Sequence, residues 1–150
     1  MKKKLKIIFA FSSTLLLGLT ACSSTPKNYE LPSSDQYQGY TILDSVERDT
    51  VSATVKGNEK IAVALRDIAT TSYSFIEPRY SNSMVRFDGA SNCCHPNTHL
   101  IGNSGLAVYK FSFIGKGETT IRIIARQKGL SAVANSFETD HVYEINLNVE

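Results

Sequence analysis

Period-two alternation of apolar and polar residues runs through most of this chain, and it limits the fold more than any other feature. Val51, Ala53 and Val55 alternate with Ser52 and Thr54. Ala107, Tyr109, Phe111 and Phe113 share one parity, with Val108, Lys110 and Ser112 on the other. After the turn Gly115-Lys116-Gly117-Glu118, the residues Thr119, Ile121, Ile123 and Ala125 resume the inward row. Tyr143, Ile145, Leu147 and Val149 then alternate with Glu144, Asn146, Asn148 and Glu150. Successive strand side chains point to opposite faces, so each such segment buries one face and wets the other. Ile61, Val63 and Leu65 alternate with Ala62 and Ala64, which predicts a strand covered on both faces. Tyr73 and Phe75, then Met84, Val85 and Phe87, mark two shorter strands.

Short strands at this density, with no helical periodicity past residue 21, predict an all-β fold. The expected architecture is an Ig-like antiparallel β-sandwich of about 7–8 strands. An eight-stranded barrel would want more regular hairpins than the stretches at 89–105 and 127–139 permit. Those stretches are long and polar, running from Asp88 to Gly105 and from Gln127 to Asp140. Loops of that length in a compact domain usually either bind something or are disordered.

At the N-terminus, Lys2, Lys3, Lys4 and Lys6 precede an apolar run from Ile7 to Leu19 that is short for a membrane span. Small residues follow, which reads as an export signal. Leu19-Thr20-Ala21-Cys22 resembles the bacterial lipobox, and the resemblance implies cleavage before Cys22 and acylation of its sulfur. The expected organisation is a lipoprotein signal peptide at 1–21, a flexible tether at 22–40 and a sandwich at 41–150. The tether assignment rests on Ser, Pro, Asn, Gln and Thr content between Ser23 and Gln38. The expected location is the bacterial cell envelope, lipid-anchored through Cys22, with the outer membrane favoured in a Gram-negative cell because Ser23 follows the cysteine. Removing residues 1–21 takes four of the 16 basic residues and none of the 14 acidic ones, so no basic stripe remains to suggest nucleic acid.

With Cys22 committed to lipid, only Cys93 and Cys94 remain, in an oxidising compartment. Adjacent Cα atoms lie ~3.8 Å apart, against roughly 5.5 Å for an ordinary disulfide. Three states stay open: a vicinal ring, a disulfide-linked dimer through Cys93 or Cys94, or free thiols. No long-range disulfide can staple the domain, so apolar burial must stabilise it.

Three loop segments are similar to those of the chagasin-type inhibitors of papain-like cysteine peptidases. Ile68-Ala69-Thr70-Thr71-Ser72-Tyr73-Ser74-Phe75 resembles that family's Asn-Pro-Thr-Thr-Gly-Tyr-x-Trp segment. Gly102-Asn103-Ser104-Gly105 resembles its Gly-x-Gly-Gly loop, and Arg126-Gln127-Lys128 stands where the family has Arg-Pro-Trp or Arg-Pro-Phe. The resemblance implies an Ig-like sandwich with the three loops at one end, and inhibition by occlusion, with no chemistry performed by the inhibitor. Ile68, Ala69, Thr70, Thr71 and Ser72 would enter the cleft as a central wedge, with the two threonine hydroxyls offered to it. Gly102, Asn103, Ser104 and Gly105 on one side, and Arg126, Gln127 and Lys128 on the other, would grip the walls. The implied partner is a papain-like cysteine peptidase. An alternative is an envelope lipoprotein that binds or assembles with other proteins through the same fold.

Other chemistries find less support. Cys93, Cys94, His95 and His99 lie close together, but their spacing matches no closed metal site, so neither metal nor cofactor is expected. Asp140-His141 invites a hydrolase reading, yet no Gly-x-Ser-x-Gly elbow places a nucleophile beside a base, and the chain is not expected to be an enzyme. Arg66, Arg79, Arg86 and Arg122 read as single charges on solvated strand faces.

Overall fold

In a computed structural model, which describes residues 29–94 and 105–150, the alternating segments form eight strands. They are β1 (Tyr40–Asp44), β2 (Thr50–Val55), β3 (Lys60–Arg66), β4 (Tyr73–Phe75), β5 (Val85–Cys93), β6 (Leu106–Phe113), β7 (Gly117–Gln127) and β8 (His141–Val149). Two four-stranded sheets result, ordered β1-β3-β6-β5 and β2-β8-β7-β4. The inward parity of each strand meets between them. Val55, Ile61, Val63, Leu65, Phe111 and Ile145 belong to one core cluster. Each such side chain, fully buried, contributes roughly 1.5–3 kcal/mol of transfer free energy. Phe111 is in edge contact with Tyr80 and in tilted contact with Phe87, with ring centroids 6.0 and 5.3 Å away.

The sheets are not wholly antiparallel, as the sequence reading had them. β1 pairs with β3 in parallel, and β2 with β8 in parallel. The chain changes sheet at each of its first two connections, so β1 and β2 join sheet edges as separate strands rather than as arms of a hairpin.

β3 is covered on both faces, with Ala62 and Ala64 fully buried. On the outer side a second cluster joins Val46, Ala64 and Leu106, and Tyr29 packs against it. This corrects the tether, which is attached to the domain from Tyr29 onward. The Tyr29 hydroxyl donates to the Asp44 carboxylate at 3.0 Å, Pro32 is buried, and the Tyr37 and Ser91 hydroxyls are 3.0 Å apart. Polar composition had masked two tyrosines that dock. Residues 22–28 of the tether, and Cys22 with the signal segment, lie outside the described residues.

The expected loop from Asp88 is also shorter than the sequence suggested, because β5 continues to Cys93. The strand passes through a bulge between Phe87 and Gly89, where Gly89 takes φ 110°, a conformation side-chain-bearing residues avoid. The Asp88 carboxylate accepts hydrogen bonds from Tyr40, Arg86 and Ser112 there, which holds the bulge in place.

Candidate functional site

Strand pairing decides where the loops sit. Arg66 at the end of β3 is paired with Leu106 at the start of β6, and Tyr73 at the start of β4 with Gln127 at the end of β7. The connection 67–72, the entry to β6 and the exit from β7 therefore share one pole of the sandwich. Two bonds tie them directly: the Asp67 amide donates to the Gly105 carbonyl at 3.1 Å, and the Lys128 amide to the Ser72 carbonyl at 2.9 Å. Gly102, Asn103 and Ser104 lie outside the described residues; Gly105 is at the pole.

The wedge 68–72 is shaped by Asp67 at its foot and by its own side chains. Asp67 is buried, and one carboxylate oxygen accepts the Ala69 amide at 2.9 Å while the other accepts the Asn92 side-chain amide at 3.2 Å. Ile68 packs against the core and anchors the base of the loop. Thr71 is exposed, but its hydroxyl is used within the loop: it donates to the Ile68 carbonyl at 2.7 Å and accepts the Tyr73 amide at 3.1 Å. The Thr71 hydroxyl proton is thus spent within the loop. Ala69, Thr70 and Ser72 are exposed, and the loop's hydrogen bonds pass over the Thr70 side chain at the crest.

Lys128 closes the loop from the neighbouring segment. Its ammonium group donates to the Ala69 carbonyl at 3.1 Å and the Thr71 carbonyl at 2.7 Å, one on each side of Thr70. The expected wall contact is therefore first of all a brace on the wedge. Lys128→Met is expected to speed hydrogen exchange at the Thr71 amide about 3- to 10-fold, while global stability changes by less than about 1 kcal/mol because the lysine is exposed. Exchange measured by NMR checks this; unchanged protection at Thr71 would remove the brace from the account.

Arg126 departs from its expected role as a surface contact. It lies on the parity of β7 opposite the core, yet is 1 % exposed, covered by the segment 128–140 folding back over it. Its guanidinium grips the Asp140 carboxylate at both oxygens, at 2.9 and 2.6 Å. The same group donates to the Ser131 carbonyl at 2.7 Å and the Ala134 carbonyl at 3.0 Å, and stacks 4.6 Å from the Phe137 ring. The hydrogen-bonded Arg126 holds the Asp140 carboxyl below the usual carboxylate range, against the opposing effect of burial. Arg79, read from sequence as a solvated charge, joins this clamp by donating to the Ala134 carbonyl at 2.8 Å. Gln127 is exposed and pairs with Tyr73 across β7 and β4.

Two further groups lie at the same pole. Tyr109 sits beneath it, and burial, with the Asp67 charge, pushes its pKa up to about 12. A cleft of about 520 Å³ runs behind the wedge, between Ile68, Tyr73, Ala125, His141 and Tyr143. His141 faces Asp49, with Nε2 to Oδ1 at 2.9 Å, while its chain neighbour Asp140 is turned to Arg126, so the pair forms no catalytic dyad. Cys93 and Cys94 are bonded to each other, the vicinal ring among the three states the sequence left open. His95 and His99 lie outside the described residues.

Neither Asp67 nor the Arg126–Asp140 pair was found from sequence. An aspartate directly after a strand and before a turn is a recognisable Asx-turn signal. The ion pair spans 14 positions and carried no local signal.

No protein-family model matches the chain, and no curated protein matches it in sequence. Solved structures do. The cysteine protease inhibitor EhICP2 from Entamoeba histolytica superimposes with a TM-score of 0.54 at 14% identity, over 73% of this chain and 93% of that one. PbICP-C, solved in complex with falcipain-2, gives 0.49 at 11% identity over 73% and 98%. The inhibitor ICP of Leishmania mexicana gives 0.46 at 17% identity over 69% and 90%. The fold is that of the chagasin-type inhibitors.

Proposed function

We propose that this protein is a reversible inhibitor of papain-like cysteine peptidases that fills the active-site cleft with the wedge 68–72. One observation carries the reading: the wedge, Gly105 and Gln127–Lys128 meet at a single pole, already ordered by hydrogen bonds. Loops ordered before contact lose little entropy on binding, which is what occlusion without covalent chemistry requires. The shared fold with a cysteine protease inhibitor supports the same reading. The wedge would enter near the peptidase's catalytic cysteine, with Ala69, Thr70 and Ser72 as its exposed surface. Gly105 and Gln127 would flank it, and Gly102, Asn103 and Ser104 would extend the first flank.

Leu19-Thr20-Ala21-Cys22 supports export and lipid attachment at Cys22, which would hold the inhibitor at the surface of a cell envelope. Titration of papain with the purified protein tests the central claim. Stoichiometric, reversible loss of activity is expected, with full recovery on dilution. An absence of inhibition at tens of micromolar would remove the function and leave the fold standing.

A further inference from the structure

We propose that the Cys93–Cys94 disulfide is a thiol–disulfide exchange site, through which a small dithiol loosens the wedge and weakens inhibition. This rests on the inhibitor reading and adds a control that lies outside the three loop segments. The two cysteines are adjacent, with Cα atoms 3.8 Å apart. Ordinary disulfides hold those atoms roughly 4.4–6.8 Å apart, and a bond outside that range is the more easily reduced. Both side chains are only half-buried, so a small thiol can reach the sulfur atoms. Cys94 takes φ 58°, a left-handed conformation that residues with a side chain adopt uncommonly, and the bond to its neighbour holds it there.

The ring sits beneath the wedge. Cys93 pairs with Leu106, which follows Gly105 at the pole, and both cysteines pack against the cluster of Val46, Ala64 and Leu106. One residue before the ring, the Asn92 side-chain amide donates to the Asp67 carboxylate at 3.2 Å. The other oxygen of that carboxylate holds the Ala69 amide at 2.9 Å. Asn92, Asp67 and Ala69 thus connect the end of β5 to the wedge. In the exchange, a thiolate of the dithiol attacks one sulfur and the Cys93–Cys94 bond breaks. The second thiol of the reagent then displaces the mixed disulfide. The reagent leaves as its cyclic disulfide, and its two protons pass to Cys93 and Cys94, which stand as thiols. Cys94 is then no longer held in the left-handed region, and the last rungs of β5, Asn92 with Ala107 and Cys93 with Leu106, open locally. Asn92 loses its fixed place, and the carboxylate that shapes the wedge loses that donor. A wedge less ordered before contact pays more entropy on binding.

The test compares the purified protein with Cys93→Ser/Cys94→Ser and Asn92→Ala, each with and without millimolar dithiothreitol. The readouts are thiol titration, hydrogen exchange at the Ala69 amide, and inhibition of papain activated beforehand so that the thiol-free arm is active too. In the original protein the reagent is expected to release two thiols, speed exchange at Ala69 about 5-fold or more, and raise the inhibition constant about 3- to 10-fold. The double serine variant should show both effects without the reagent and no response to it. Should that variant melt early, the reduced original protein still reads the effect. A disulfide that resists the reagent would overturn the proposal, as would Ala69 exchange or an inhibition constant that ignores the appearance of two thiols. A response in Asn92→Ala as large as in the original would overturn the route through Asp67. Failure to inhibit papain in either state would instead overturn the parent reading, while exchange at Ala69, measured without a peptidase, still decides whether the ring governs the wedge.

Discussion

Thr70→Glu is expected to raise the inhibition constant for papain by at least about 30-fold while leaving the melting temperature unchanged. The two halves of that expectation have separate causes. Thr70 is exposed at the crest of the wedge, and the bonds that shape the loop involve Asp67, Ile68, Ala69, Thr71, Tyr73 and Lys128. A glutamate there costs the free protein almost nothing, because exposed substitutions away from such bonds rarely shift stability by more than ~0.5 kcal/mol. In the complex the same carboxylate would have to enter a narrow cleft and shed its water, and an unpaired charge desolvated in an interface costs about 2 kcal/mol or more. Thr70→Ala is the control, expected to lose only a few-fold. Thr71 makes a poor probe of contact, since Thr71→Glu also removes the bonds to Ile68 and Tyr73 and would confuse loop collapse with lost binding. A Thr70→Glu protein that inhibits as the original does would mean that the crest never enters the cleft.

How much of this was readable from sequence follows from the range of the forces involved. Alternation is a local property, so the rows Ala107–Phe113, Thr119–Ala125 and Tyr143–Val149 disclosed their faces directly, and all three line the core. The two alanines in β3 disclosed that something covers its outer side, though not that Tyr29 does so. The bulge at Asp88 was legible only as polarity, because an Asp-Gly pair reads equally as a turn; the partners that make it a bulge come from β1 and β6. The wedge sequence was noticed, and its position at the pole follows from pairing. The structural roles of Arg126 and Lys128 were hidden in the sequence for one reason. Both cations serve carbonyl oxygens or carboxylates brought near by topology, and nothing in residues 126–128 announces that the chain will fold back at Ala134 or pass beside Ala69. The same device appears twice: a cationic side chain holds the carbonyls on either side of a crest, Lys128 around Thr70 and Arg126 around residues 132 and 133.

The largest effect on stability is expected from Arg126→Met, with a fall in melting temperature on the order of 10 °C at neutral pH. Methionine preserves much of the volume and the contact with Phe137, so the loss reports charge and hydrogen bonding. The Asp140 side chain, 3 % exposed, would lose its hydrogen-bonded cation and keep only the more distant Arg79, and the carbonyls of Ser131 and Ala134 would lose a donor. The pH dependence identifies the cause. In the original protein the Asp140 carboxyl titrates below its unfolded value, so its contribution is present above about pH 4. It is lost as pH falls through the depressed folded value, and stability declines on acidification. In Arg126→Met the largest influence holding the Asp140 carboxyl low is gone and burial opposes the rest, so the depression shrinks and less stability is lost on acidification. The difference between the two melting curves should therefore narrow from pH 7 to pH 4. Removing the stranded charge as well, in Arg126→Met/Asp140→Leu, should recover part of the loss, since breaking a buried pair costs more than replacing both members. A gap that stays constant with pH would show that Arg126 acts through packing alone.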